Sequence, residues 1–256
     1  MKDIQNEKDN RGIALKKVGI KNISWPIKVL TKDGEIQYTI ANVNISVDLK
    51  YDIRGTHMSR FVEVLNEIEI LNPEKLRDIL ISVKNRLKAD NSHLKLTFPY
   101  FIYKKTPITK INIPNRIECV IDTELSKNFD MIIGVKVPVH ILCPCSKEIS
   151  EFGAHNQRAI AEIYIRSKKL IWFEDLVYIA ENSASAPIYS LLKRADEKYI
   201  TEYAYQNPKF VEDLVRDIVS ELDKNSKIIW YKVEVISFES IHNHEAFACV
   251  EKGWGR

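Results

Sequence analysis

The strongest constraint on the fold of this chain is a run in which apolar and polar residues alternate strictly. Positions 41, 43, 45, 47, 49 and 51 carry aliphatic or aromatic side chains, and polar residues occupy the positions between them. A period of two places all of the apolar side chains on one face of a β-strand. Strands with one apolar and one polar face are typical of antiparallel sheets, whereas strands of a doubly wound parallel sheet are apolar on both faces. We therefore expect an antiparallel sheet with one buried face.

Helical and strand-like segments follow this run in an order that occurs twice. Asn72 and Pro73 form a helix start, in which Asn caps the helix and Pro takes its first position, and a stripe of apolar residues follows. Asn207 and Pro208 precede a second stripe with the same offsets. The remaining predicted segments are strands near 93–103, 113–122, 135–141, 159–165 and 228–238, and helices near 172–181, 187–193 and 208–222.

This repeated order predicts an α+β fold in which helices cover one face of an antiparallel sheet. We expect a single domain over 1–256 that consists of two similar halves, about 36–125 and 130–252, after a loose N-terminal arm at 1–15. The 38 basic residues nearly balance the 35 acidic ones, so the composition gives no general sign of binding to nucleic acid or membranes. The charged first segment has no apolar core of a secretory signal, and we expect a cytoplasmic protein.

The segment Leu142–Arg158 has the richest chemistry, because Cys143 and Cys145 end a predicted strand and His155 follows a short loop. Thiolate and imidazole are preferred ligands of zinc, and catalytic zinc sites use three protein ligands with one open position. The alternative is that these cysteines act only as small apolar residues at a strand end. The residues alone leave both interpretations open.

Three further clusters have two interpretations each. The segment 239–245 contains two carboxylates and two imidazoles, which could bind a metal or transfer protons, or form a solvated loop. Glu212 lies in the second turn of the helix that Asn207 is predicted to cap, where a carboxylate could accept the two parallel hydrogen bonds of a guanine edge. His57 and Arg60 could bind an anion or form a polar turn. No phosphate-binding glycine loop, nucleophile elbow or Cys-x-x-Cys motif occurs.

Taken in order, the motifs GTHMSRF, LCPCSKEISEFGAHNQR, DEKYITEYAYQNPKFVED and ESIHNHEAF resemble those of the type IB GTP cyclohydrolases. The resemblance extends from the segment KVGIKNISWPIKV to the C-terminus. It implies the tunnelling fold, with two fused antiparallel modules per chain, a homotetramer around a β-barrel tunnel, and active sites between subunits. The implied reaction is metal-dependent hydrolysis of GTP at C8 of the imidazole ring, with release of formate, to 7,8-dihydroneopterin triphosphate for folate synthesis.

The resemblance also implies roles for individual residues. Cys143, His155 and Glu197 correspond to the ligands of one divalent ion per subunit, zinc or manganese or another divalent ion, although Glu202 lies one turn from Glu197 and could take its place. Cys145 and His242 correspond to catalytic groups, beside the metal-binding Cys143. The remaining assignments concern GTP: Glu212 anchors the purine, and Arg60, Arg158 and Lys147 are candidates for binding the triphosphate.

Three alternatives remain open at this stage. The first is an NADPH-dependent nitrile reductase of the same fold that acts on a deazaguanine and needs no metal. The second is an archaeal-type cyclohydrolase whose product is the cyclic phosphate. The third is a non-catalytic module in which zinc only stabilises the fold. Metal dependence separates the first alternative from the main hypothesis, and a closed shell of four protein ligands is expected only for the third.

Overall fold

The computed structural model describes residues 4–68 and 70–253, which form the expected combination of antiparallel strands and helices. Residues 1–3 of the predicted arm lie outside the described residues. The elements, in chain order, are β1 Leu15–Leu30, β2 Ile36–Leu49, α1 Met58–Asn66, α2 Pro73–Leu87, β3 Ser92–Lys105, β4 Asn112–Leu125, β5 Phe129–Leu142, α3 Pro144–Ile149, β6 Asn156–Ser167, α4 Phe173–Ser183, β7 Ala186–Pro187, α5 Arg194–Gln206, α6 Val211–Asp223, β8 Ile228–Ser237 and β9 Ala246–Gly253.

Neighbouring strands are hydrogen-bonded in the order β1-β2-β3-β4-β5-β6-β8-β9, and β7 pairs with β5. The pairs β1–β2, β2–β3, β5–β6, β6–β8 and β8–β9 are antiparallel. The sequence prediction of an antiparallel α+β fold is therefore confirmed. The chain divides into two compact units, one of residues 1–99 with 120–132 and the other of residues 100–119 with 133–256. The two similar halves inferred from the repeated pattern stay a prediction.

In the first unit, the alternating run forms most of β2, and its apolar residues from Ala41 to Val47 are at most 1% exposed. Tyr51, the last residue of the predicted alternation, lies beyond the strand and is exposed. Helix α2 begins at Pro73, as predicted, and contacts β2, while α1 contacts β1. The described part of the N-terminal arm is hydrogen-bonded to the segment after β2, through Gln5 to Gly55 and Glu7 to Arg54 among others.

In the second unit, the strands β5, β6 and β8 place their aliphatic residues on one buried face, and α6 packs against β8 and β9. The buried side chains of α6 are Val211, Leu214, Val215, Ile218 and Leu222. Burying each aliphatic side chain of this size stabilises the folded state by roughly 1.5–3 kcal/mol. This packing fixes the position of the first turn of α6, which carries Glu212. Among the described helices, none is both long enough and apolar enough to cross a lipid bilayer.

Two helix predictions in the second unit are wrong. The predicted helix at 187–193 is instead the end of the short strand β7 and an irregular segment, because Pro187 pairs with Val139 of β5. The predicted helix at 208–222 begins only at Val211, and Asn207 is the C-cap residue that follows α5 rather than the cap of α6. Pro208 lies in an irregular link between α5 and α6. The helix start is instead stabilised by Asp213, whose carboxylate accepts a hydrogen bond from the backbone N–H of Phe210 at 3.1 Å.

The start of α5 is fixed by Asp196, a completely buried carboxylate. It accepts hydrogen bonds from the backbone N–H groups of Ile108, Thr109 and Lys193 and from the Thr109 hydroxyl, at 2.6–3.1 Å. Burial alone would raise the pKa of Asp196, but these hydrogen bonds outweigh it and hold the pKa well below its ordinary value. Asp196 therefore ties α5 to the loop between β3 and β4 as a charged group.

Candidate active site

Four of the residues singled out from the sequence line one cavity of about 470 Å³ in the second unit. They are Cys143, His155, Glu212 and His242, which come from three of the four motifs. We call this cavity the site pocket. Its other lining residues are Ile141, Gln157, Lys209, Phe210, Val211, Glu239, His244, Glu245, Ala246 and Phe247.

Cys143 ends the extended chain of β5 and occupies the N-cap position of α3. Pro144 follows at the first helical position, where its missing N–H removes no hydrogen bond. The sulfur of Cys143 accepts a hydrogen bond from the backbone N–H of Ser146 at 3.4 Å, and the side chain is half-buried. The thiol is therefore oriented by its own helix and remains accessible from the site pocket.

After the short helix and a glycine turn, the chain brings His155 back to Cys143. The backbone N–H of Cys143 donates to the His155 carbonyl oxygen at 3.1 Å, and the His155 N–H donates to the Ser146 hydroxyl at 3.1 Å. The ring Nδ1 of His155 lies 3.0 Å from Oε1 of Gln157. That contact leaves the other ring nitrogen, Nε2, for a ligand. The loop thus presents a thiol and an imidazole to one cavity, although the two residues lie twelve positions apart in the sequence.

Glu212 reaches the site pocket from the first turn of α6 and is exposed to solvent. This differs from the predicted second turn of a helix capped by Asn207. The link that precedes α6 is held to β5 by a backbone hydrogen bond from Lys209 to the Leu142 carbonyl oxygen, at 2.9 Å. Another backbone bond, from Phe238 to Arg158 at 3.0 Å, fixes the exit of β8 beside β6. Three main-chain bonds, including the one between Cys143 and His155, therefore join the segments that form the pocket.

His242 lies in the loop after β8, among exposed polar residues. Its ring is 6.3 Å from the ring of His155, centroid to centroid, and meets it edge-on at 86°. The ring of His244 stacks on the ring of His242, with 5.2 Å between their centroids. Imidazole rings exchange protons near neutral pH, and a group so close to His155 can deliver a proton to a molecule held in the pocket.

The donors of the site pocket fit a divalent metal in part. Cys143 and His155 offer sulfur and nitrogen, the donor atoms that zinc prefers, on one side of the cavity. Within residues 4–68 and 70–253, no group of three or more His, Cys, Asp or Glu side chains is already arranged to hold a metal ion. Cys143 and His155 therefore offer two possible donors, one fewer than the three protein ligands of a catalytic zinc site.

Glu197 and Cys145 do not line the site pocket. Glu197 is exposed on α5, as is Glu202 farther along the same helix. Cys145 is exposed in the first turn of α3, two residues beyond Cys143. The roles that the resemblance gives to Glu197 and Cys145 remain predictions.

The three candidate triphosphate residues also lie outside the lining of the pocket. Lys147 donates to the carbonyl oxygen of Tyr205 at 2.6 Å, and its ammonium is 4.4 Å from the centre of the Tyr205 ring. Arg158 is exposed on β6. Arg60 belongs to the first unit, where its guanidinium donates to the Arg86 carbonyl oxygen at 2.8 Å.

The sequence analysis missed Gln157 and Lys209 as residues of the pocket, and it named Glu239 only as a member of the 239–245 cluster. Gln157 follows His155 by two positions in an extended segment, so strand periodicity alone places both side chains on the same side. Glu239 belongs to the 239–245 cluster, but nothing in the sequence indicated its contact with Gln157. Lys209 gave no local signal, because its position depends on the long-range bond to Leu142.

Comparison with known proteins identifies the family. The sequence model of the family described as type I GTP cyclohydrolase folE2 matches residues 1–248. The chain belongs to this family. It is 76% identical over 254 residues to the GTP cyclohydrolase FolE2 of Dictyoglomus turgidum, covering 99% of both chains. It is 55% identical over 253 residues to the FolE2 of Thermotoga maritima, covering 99% of this chain and 98% of that one.

Solved structures show a likeness of fold at far lower sequence identity. The urate oxidase of Bacillus sp. TB-90 aligns with a TM-score of 0.54 at 11% identity, over 94% of this chain and all of that one. The uricase of Arthrobacter globiformis aligns with a TM-score of 0.51 at 10% identity, over 94% and 95% of the two chains. These structures support the arrangement of strands and helices of this FolE2 family member. The expected β-barrel assembly remains a proposal.

Proposed function

We propose that the site pocket is where this FolE2 family member hydrolyses GTP, at C8 of the guanine imidazole ring, to formate and 7,8-dihydroneopterin triphosphate for folate biosynthesis. The observation that carries this proposal is the meeting of Cys143, His155, Glu212 and His242 in one cavity. These residues come from segments up to 99 positions apart in the sequence. The chemistry requires a base anchor, a water that adds to C8 and a proton that reaches N7, and the four side chains offer groups of the right kinds.

Cys143 and His155 would hold one divalent ion, zinc or manganese. Such an ion, when bound, supplies a Lewis acid that makes water a nucleophile at neutral pH. The chain contributes the orientation of the two ligands, since the Ser146 N–H bonds the sulfur and Gln157 bonds the ring Nδ1. The resemblance implies that Glu197 is the third ligand. Loss of the metal when Glu197 is substituted would support this assignment.

Glu212 is proposed to grip the guanine edge. A carboxylate has two oxygens that can accept, side by side, the N1–H and the 2-amino group of the base. Phe210 and Phe247 also line the site pocket and offer ring faces against which a planar base can pack. Fixing the base in this way orients C8 and makes its reaction effectively unimolecular.

His242 is proposed to transfer protons during ring opening, because its imidazole adjoins His155 at the pocket rim. Cys145 keeps its proposed role as a second catalytic group, from the exposed first turn of α3. Substituting either residue is expected to reduce turnover without removing Cys143 or His155 from the pocket.

The small number of cationic side chains in the pocket supports an assembly in which a second copy of the chain completes the site. Among the described residues that line the pocket, Lys209 is the one Lys or Arg side chain, and its ammonium pairs with Asp217. A triphosphate carries several negative charges and requires cationic partners. We therefore propose a homotetramer with active sites at subunit interfaces, in which Arg60, Arg158 and Lys147 are candidates for the triphosphate.

The test of this function is a metal-dependent product assay. Purified protein with zinc or manganese and GTP should release formate and give a pterin that fluoresces after oxidation, and a chelator should abolish both signals. Chromatography of the product distinguishes the linear triphosphate from a cyclic phosphate. Absence of formate with every common divalent ion would contradict the proposed reaction. Sedimentation at four times the chain mass of 29.7 kDa is expected, and a fully active monomer would contradict the shared site.

A further inference from the structure

A hydrogen-bonded network behind His155 is formed by the side chains of Gln157, Ser237, Glu239 and Ser240. Gln157 is its centre: Oε1 lies 3.0 Å from Nδ1 of His155, and Nε2 donates to Oε1 of Glu239 at 3.1 Å and to Oγ of Ser237 at 3.2 Å. The Ser237 hydroxyl donates to the same Glu239 oxygen at 2.7 Å. The Ser240 hydroxyl donates to Gln157 Oε1 at 3.3 Å. Both the oxygen and the nitrogen of the Gln157 amide therefore have hydrogen-bond partners.

The donors and acceptors of this network allow a single arrangement. A carboxylate can only accept hydrogen bonds, so the atom of Gln157 that faces Glu239 must be the amide nitrogen. The amide oxygen then faces His155, as it also faces the Ser240 hydroxyl. Because an amide oxygen cannot donate, the ring atom that meets it must carry a proton. The neutral imidazole of His155 therefore carries its hydrogen on Nδ1 and its lone pair on Nε2.

We propose that Gln157, oriented by Glu239, is a positioning residue that fixes the tautomer of His155 so that Nε2 is the metal-binding atom. This inference rests on the proposed function, since it assigns a purpose to the metal pair Cys143 and His155. The physical reason is that a neutral imidazole in the wrong tautomer must move its proton or turn its ring before it can bind a cation. Partners of this kind raise metal affinity by about 10–100-fold in other metal sites.

The experiment uses full-length protein with ¹⁵N-labelled histidine, before and after addition of zinc. The ¹⁵N shifts of the His155 ring report which nitrogen carries hydrogen, and competition with a chromophoric chelator reports the zinc affinity. In the unsubstituted protein we expect hydrogen on Nδ1. Gln157→Leu should give a mixture of tautomers and a zinc Kd higher by about 10–100-fold.

Asn156→Ala is the matched control. Asn156 is the neighbouring residue on β6 and also bonds a histidine, His140, at 2.9 Å, but neither lines the site pocket. This variant should match the unsubstituted protein in both measurements. Glu239→Gln provides a second test in case Gln157→Leu does not fold, because the new amide can meet Gln157 in either orientation. Glu239→Asp keeps a carboxylate and should restore the Nδ1–H signal.

Two results would overturn the inference: hydrogen on Nε2 in the unsubstituted protein, or an unchanged tautomer and unchanged zinc affinity in Gln157→Leu and Glu239→Gln. Either result would leave the proposed cyclohydrolase site intact if zinc still binds and formate is released. Conversely, the expected tautomers in a protein that binds no divalent ion would support the role of Gln157 and contradict the metal part of the proposed function.

Discussion

The backbone N–H of Cys143 donates to the carbonyl oxygen of His155, across a loop of eleven intervening residues, at 3.1 Å. This bond extends the pairing of β5 with β6 by one step beyond Leu142 and Asn156, the last residues of their register. Neighbouring positions of two paired chains lie about 5 Å apart. The side chains of Cys143 and His155 therefore enter the site pocket from adjacent positions.

Replacing Cys143 with alanine should remove the metal and the activity together. The sulfur is one of the two proposed metal donors that line the pocket, and one remaining imidazole binds a divalent ion weakly. We expect metal content to fall from about one ion per chain to near zero, as measured by mass spectrometry after dialysis. Cys249→Ala is the control, because Cys249 is an exposed cysteine of β9 that does not line the pocket. Full metal content in Cys143→Ala would contradict the ligand assignment.

Replacing Glu212 with glutamine should weaken catalysis on GTP by about 100-fold in kcat/KM, because the carboxylate is proposed to accept two hydrogen bonds from the bound base and their loss costs about 2–4 kcal/mol. The preference for GTP over inosine triphosphate, which lacks the 2-amino group, should fall in the same variant. Glu221→Gln is a suitable control: Glu221 lies on the same helix, pairs with Lys224 and is outside the pocket. An unchanged preference in Glu212→Gln would mean that another group reads the base.

Replacing His242 with alanine should lower kcat by about 10²–10⁴-fold while metal content stays at the level of the unsubstituted protein. The physical reason is that His242 adjoins His155 but is proposed to carry protons rather than bind the ion. His140→Ala serves as control, since His140 contacts Asn156 and does not line the pocket. Loss of the metal along with the activity would show that His242 is a ligand.

The buried carboxylate of Asp196 predicts a pH dependence of stability. Its pKa in the folded protein is lowered, so the folded protein keeps the charge at a pH where the unfolded chain takes up a proton. The stabilisation is therefore complete above the ordinary aspartate pKa of about 4 and is lost as the pH falls below it. Asp196→Asn should lower Tm at pH 7 by at least about 5 °C.

The difference in Tm between Asp196→Asn and the unsubstituted protein should become smaller as the pH falls from about 5 to about 3. This is roughly the range over which the aspartate titrates in the unfolded chain. Calorimetry at several pH values measures it. Asp90→Asn should show no such dependence, because Asp90 is mostly exposed and its partner Lys50 is 3.5 Å away. A constant difference for Asp196→Asn would contradict the charged state of the buried group.

The sheet was predictable from the sequence because burial on one face imposes a period of two. The residues from Ala41 to Val47 illustrate this, since each apolar position is buried as the pattern indicates. The start of α2 was also predictable, because Asn72 and Pro73 act locally. The same dipeptide at Asn207 and Pro208 was misleading. There the chain forms an irregular link in which the backbone of Lys209 bonds to Leu142, and no local signal reports that contact.

The start of α6 had a sequence signal of a different kind. Asp213 follows Phe210 by three positions, the spacing at which a carboxylate bonds the N–H at a helix start, and Asp196 follows Lys193 in the same way at α5. Strand β9 was missed because its sequence, AFACVEKG, shows no alternation of apolar and polar residues, although the burial of its first six residues alternates.

The motifs made the types of residue in the site pocket predictable. That these residues meet in one cavity was not predictable from the sequence. Cys143 and His155 are close in the sequence, so their contact needs only a short loop. Glu212 and His242 reach the pocket through α6 and the exit of β8, whose positions depend on core packing and long-range pairing. Glu197 is exposed on α5 and does not line the pocket, so its role as a metal ligand stays a prediction.

The frame of the pocket is made of main-chain bonds: Cys143 to His155, Lys209 to Leu142, and Phe238 to Arg158. A main-chain bond does not depend on which side chain its residue carries. Amino acids around the cavity can therefore be exchanged to alter substrate preference while the scaffold keeps its shape. Proline is the exception, since it lacks the donating N–H, and a directed-evolution library built on this chain should exclude it at positions 143, 209 and 238.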